Sequence, residues 1–158
     1  IKDDLVRASR IKTYQAIGYI THGVLDSIHD WDEMDWISES EKIRSRLLSI
    51  ALINSSKLPG LTTSNPGVIG SAYRDHREIL LDQVLSFCPD LIFACAPAAI
   101  FLKEDLADPG TEWKEFGMAS AMMLKNGTRL VWVYHPSARK NRRSYVNDAI
   151  CAANSPLE

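Results

Sequence analysis

Arg129-Leu130-Val131-Trp132-Val133-Tyr134-His135-Pro136-Ser137 is the stretch on which the fold of this chain turns. Five apolar and aromatic residues, Leu130 to Tyr134, run without a spacer into a histidine, a proline and a serine. A short apolar run closed by turn residues reads as a strand buried on both faces. Two other runs share the shape: Leu48 to Ile53, which ends in Asn54, and Leu91 to Cys95. Helical patterns surround them. Val6, Ile11, Tyr14, Ile17, Ile20, Val24, Leu25 and Ile28 recur every three or four positions, predicting one long amphipathic helix over residues 4–29. Ser38 and Glu41 have capping-box spacing and predict a short helix to residue 47. Tyr73, Ile79, Leu80, Val84 and Phe87 mark the inner face of a further helix, stopped by Pro89. Short helices are expected over 98–102 and within 113–124, and a last one over 142–152. Strands alternating with helices predict an α/β fold, a three-layer sandwich around a short, mostly parallel sheet.

The proportions fit one domain. The chain has 158 residues, 46% hydrophobic and 24% charged, with a formal net charge of -2. At this length about 68–70% of the unfolded surface can be buried, enough for a core without staples or metal. Residues 1–156 are read as a single α/β domain. The chain begins with Ile1 and not Met, so a preceding N-terminal segment is expected, and Leu157-Glu158 has the look of a cloning scar. No window approaches about 18 consecutive apolar residues, and the first twenty residues carry six charges, so no membrane span or secretory signal is expected and the protein is read as cytoplasmic. Cys88, Cys95 and Cys151 are odd in number and lack C-x-x-C spacing, which suits reduced core thiols. Trp31 and Trp36 are read as a lid over the core. Oligomeric state leaves no signature.

In parallel sheets ligands collect beyond the carboxyl ends of the strands, which points to Asn54 and His135. Asn54 either offers an amide to the edge of a planar ligand or simply turns the chain. His135, held extended by Pro136, either donates a hydrogen bond to developing negative charge or is a satisfied structural histidine. Ser137 is followed by Arg139, Lys140, Arg142 and Arg143, four cations that bind phosphates or form a solvated basic turn. The helix macrodipole disfavours cations at that helix start, which tilts the cluster toward function. The long polar stretch 54–67 is a candidate functional loop. His22, His29 and His76 have no metal-ligand spacing, and G-x-x-x-x-G-K, G-x-G-x-x-G and G-x-S-x-G are all missing; no metal or cofactor is expected.

Three blocks together resemble the uracil-DNA glycosylase superfamily, especially its bacterial branches outside the classical enzyme: Ile50 to Asn54; Leu81 to Val84 through Pro89 to Ile92; and Val131 to Ser137. The resemblance covers residues 47–150. It implies base excision from DNA, in which a nucleotide is extruded, its base read in a pocket and its N-glycosidic bond cleaved by water. Asn54 would be the base-reading amide and His135 the stabiliser of negative charge on the departing base, these two being the catalytic pair. Pro136 and Ser137 would contact substrate, and Ser137 with Arg139, Lys140, Arg142 and Arg143 would grip the backbone. The family's first motif, a strand ending in a Gly-x-x-Pro turn, has no counterpart here, nor have the cysteine ligands of its iron–sulfur members. Either that motif belongs to the preceding segment or the protein is a noncatalytic nucleic-acid or nucleotide binding relative. The reading requires Asn54 and His135 to open into a shared cavity.

Overall fold

A computed structural model describes residues 2–55 and 65–157. The elements in chain order are α1 (Lys2–Ala8), α2 (Lys12–Leu25), α3 (Glu41–Ser45), α4 (Pro66–Asp75), α5 (Arg77–Ser86), β1 (Leu91–Cys95), α6 (Ala98–Leu106), β2 (Lys114–Phe116), β3 (Ala119–Met123), β4 (Arg129–Val133) and α7 (Arg142–Asn154). Short 3-10 turns lie at Trp31–Glu33 and Arg46–Ser49. The four strands form one sheet in the order β1-β4-β3-β2. β1 and β4 are parallel, with Phe93 opposite Val131; β3 is antiparallel to both β4 and β2. The α/β class stands, but one parallel pair in three makes the sheet mixed, not mostly parallel.

Alternation along the strands divides the core in two, because successive side chains leave a strand on opposite faces. Ala121, Val131 and Val133 face α2 and α7, together with Phe93 from β1. Ala94, Met122 and Leu130 face α6, whose Ala99 and Leu102 are buried against them. α7 supplies the broadest apolar stripe, Tyr145, Val146, Ala149, Ile150 and Ala153, at helical spacing. Asn141 starts this helix by accepting a hydrogen bond from the Ser144 N–H. Arg129 finishes it, donating to the carbonyls of Ala152 (2.9 Å) and Ser155 (2.6 Å), where a cation complements the helix dipole. α2 can lie close to α7 because Gly23 has no side chain; a Cβ there would sit 2.2 Å from Ile150 Cδ1.

Several expected elements differ. The long N-terminal helix breaks at Ser9, whose hydroxyl donates back to the Val6 carbonyl (2.8 Å), and Ile11 leaves the helical conformation before α2. The short helix starts after Ser40 and not Ser38. The helix that follows the loop is split at His76 into α4 and α5, and Ile79 and Phe87, expected inside, are exposed. The run Leu48–Ile53 is no strand: a 3-10 turn passes into irregular extended chain, and Leu48 and Leu52 are 63% and 59% exposed. Their side chains line an apolar depression of about 310 Å³ with Leu5, Ala8 and Tyr14 of the N-terminal helices. Apolarity alone carried no information about which backbone would pair with this run.

Residues 113–124, expected to hold a helix, form the hairpin β2–β3 instead. Gly117 opens its two-residue turn at φ +64°, and Asp148 of α7 accepts the N–H of Met118 at 2.8 Å. Trp31 packs on Tyr19 in a tilted ring pair with centroids 4.0 Å apart, but Trp36 is exposed, so only one of the two covers the core. Cys88 and Cys151 are exposed; Cys95 alone sits largely inside, where burial pushes its thiol up to about 11. No helix among the described residues is long and apolar enough to cross a membrane. Of the stretch 54–67, residues 56–64 lie outside the described residues, while Pro66 and Gly67 begin α4.

At the end of α2 the Asp26 carboxylate accepts from Arg46 Nε (2.8 Å) and Nη2 (2.6 Å) and from His22 Nδ1 (2.7 Å). The Arg46 guanidinium holds this carboxyl well below the usual range, so it favours the folded chain above the unfolded value of about 4 and loses that contribution as pH falls through the lower folded value. Urea titrations are expected to show stability declining below about pH 4. Asp26→Asn should cost about 1.5–3 kcal/mol at neutral pH and flatten that acid slope. Gly117→Ala should cost about 1–3 kcal/mol, since the left-handed backbone strains alanine and its Cβ would lie 2.4 Å from Asp148 Oδ2; an unchanged thermal midpoint would exclude the clash.

Candidate functional site

The sheet delivers β4 to the surface at Tyr134, and the chain turns there. His135, Pro136, Ser137 and Ala138 form a turn closed by the Ala138 N–H donating to the His135 carbonyl at 2.8 Å, with Pro136 at the position where its fixed φ is preferred. The turn is anchored to the core through the Tyr134 carbonyl, which accepts from the buried Tyr145 hydroxyl (2.8 Å) and the Cys95 thiol (3.6 Å). Burial raises the pKa of both donors, which keeps their protons in place for these bonds.

Within the turn, the Ser137 N–H donates to His135 Nδ1 (3.2 Å), and the Ser137 hydroxyl lies 2.7 Å from the same nitrogen. A backbone N–H can only donate, so Nδ1 is the acceptor and the neutral ring carries its proton on Nε2. His135 therefore has a donor to offer. It is exposed and lines a pocket of about 130 Å³ at the end of β4.

The walls of that pocket are basic. Arg139 and Lys140 come from the loop, Arg142 from the first position of α7 and Lys12 from the first position of α2; among the described residues no carboxylate lines it. Two of the cations are held in place. Arg142 Nη1 donates to Gln15 Oε1, and Gln15 in turn donates to the Ser9 carbonyl at 2.8 Å. Lys140 Nζ stands 4.1 Å over the Tyr134 ring, a cation–π contact. Neither α2 nor α7 has an acidic residue in its first turn, so both positive helix ends add to the field of the cations. The floor is Ala16 and Tyr145, both buried.

His135, Pro136, Ser137, Arg139, Lys140 and Arg142, all expected from the sequence, are thus brought together. Asn54 and Arg143 are not. Asn54 is exposed in the chain following the Arg46–Ser49 turn and does not line the pocket, because the run that precedes it stays outside the sheet and no strand carries the amide to the end of β4. The shared cavity of Asn54 and His135 is therefore not formed. Arg143 turns to Asp32 and, at 3.9 Å, to Asp30, so its charge is answered within the protein. Lys12, Ala16 and Tyr145 were missed. Lys12 had a signal, since it repeats the pattern of α7, a cation starting a helix whose first turn lacks acid. Comparisons with protein-family models, curated proteins and solved structures found no match to this chain.

Nitrogen-15 NMR of the histidines tests the ring assignment. His135 Nδ1 is expected to resonate as an unprotonated acceptor and Nε2 as the protonated nitrogen at neutral to basic pH; the opposite pattern would remove the donor from the pocket.

Proposed function

We propose that this chain is a noncatalytic nucleic-acid-binding domain on a uracil-DNA-glycosylase-like sandwich, holding DNA by its phosphates at the basic end of β4. One observation carries the reading: among the described residues, four cations and no carboxylate line the pocket. Its size agrees. At about 130 Å³ it is smaller than the roughly 300–1,000 Å³ sites that enclose whole drug-sized ligands, and it suits a phosphate group better than a nucleotide. Placement beyond the carboxyl end of β4, beside a parallel neighbour, matches where α/β sheets hold ligands. A cytoplasmic site of action belongs to the same proposal.

A second reading, hydrolysis of the N-glycosidic bond of a damaged base, is favoured by the Nε2 donor of His135, which suits a departing base anion. The noncatalytic reading is preferred because the amide that would read the base, Asn54, does not reach that pocket.

Fluorescence anisotropy with labelled DNA tests the binding, and a uracil-release assay separates the two readings. Binding is expected to weaken with salt, and the double variant Arg139→Gln/Lys140→Gln should lower the logarithmic salt slope by about two, at about one per lost phosphate contact. Binding that ignores salt would overturn the proposal. Uracil release from a uracil-containing oligonucleotide would establish the second reading in its place.

A further inference from the structure

We infer that the pocket at the end of β4 takes the terminal phosphate of a phosphomonoester, such as the phosphorylated end of a DNA strand, in preference to an internal phosphodiester; this rests on the anion-binding reading of the same pocket. Charge is the first reason. Lys12, Arg139, Lys140 and Arg142 bring four positive charges to one small volume, and among the described residues no acid lines it to answer them. An internal phosphodiester brings one negative charge. A terminal phosphate brings about 1.5 to 2 at pH 7 and three strong acceptor oxygens, and so uses more of the donors present.

Shape is the second reason. The pocket ends against Ala16 and Tyr145, which belong to the core between α2, α7 and the sheet, and the Tyr145 hydroxyl is already committed to the Tyr134 carbonyl. Its walls come from α2 on one side and from the 135–140 loop and α7 on the other. A continuous strand has to leave such a site in two directions, whereas a terminal group enters end-on and stops at the floor. Arg142, fixed by Gln15, and Lys140, fixed over Tyr134, are placed before any ligand arrives, which reduces the entropy lost on binding.

The test compares one single-stranded oligodeoxynucleotide carrying either a 5′-phosphate, a 3′-phosphate or hydroxyls at both ends, with thymidine monophosphate and inorganic phosphate as competitors. At least one phosphorylated form is expected to bind the full chain about tenfold tighter than the hydroxyl form, the worth of one or two added charge-assisted hydrogen bonds. Lys12→Gln, at an exposed helix start, should weaken the phosphorylated strand more than the hydroxyl strand. Equal affinity of all three oligonucleotides would overturn this inference and leave DNA binding standing; failure of every probe would overturn both. Binding of thymidine monophosphate without any oligonucleotide would keep the phosphomonoester and remove the nucleic acid.

Discussion

The structure depends on β4 being buried on both faces and paired along both edges. Leu130 and Val131 are fully buried on opposite sides of the sheet, and each edge of the strand is satisfied by a neighbour, β1 on one side and β3 on the other. A strand so placed has no freedom to slide, because a shift of one residue would exchange its two apolar faces. Its start is tied down as well: the Thr128 hydroxyl donates to the Pro89 carbonyl at 2.7 Å, the Arg129 N–H to the Asp90 carbonyl, and the Arg129 side chain to the end of α7. The position of His135 follows from these constraints. It is set by the core, two residues beyond the last strand residue.

The basic pocket has a cost built into it. Cations at the starts of α2 and α7 stand against the positive ends of two helices, an unfavourable placement of about 0.3–1 kcal/mol each at an exposed position. Nothing in the packing requires this: the buried stripe of α7 begins at Tyr145 and that of α2 at Ala16. The contrast with Arg143 is instructive. That residue, one position along the same helix, is neutralised by Asp32 and Asp30, while the side chains facing the pocket are met by a neutral amide and an aromatic ring. Such partners orient a cation without cancelling its charge, which is what an anion site needs.

Legibility followed chain locality. β1, β4 and α7 were readable to within a residue or two, since each is a short apolar or strongly amphipathic segment between clear stops. The turn at His135 to Ser137 was readable because Pro136 restricts it from within. The hairpin was misread although the sequence held its cues: Gly117 opens one turn, and Asn126-Gly127, with Gly127 at φ +83°, forms the next. Its second strand, β3, is Ala- and Met-rich, a composition that favours helix in isolation, and pairing with β4 overrode that preference. Leu48 to Ile53 failed the other way, an apolar run that stays outside the sheet, with Leu48 and Leu52 exposed at a depression beside α1 and α2.

By itself the sequence determined the α/β class, the central apolar strand with His135 at its end, and the cationic loop after it, because hydrophobic period, proline stereochemistry and charge act between near neighbours. Only the tertiary structure decided that the sheet is mixed, that Lys12 from the far end of the chain closes the basic pocket, and that Asn54 stays out of it. Those outcomes depend on which backbone edges and helix ends meet across more than a hundred residues of chain, and the energy of such meetings belongs to pairs of segments and is written in neither one alone.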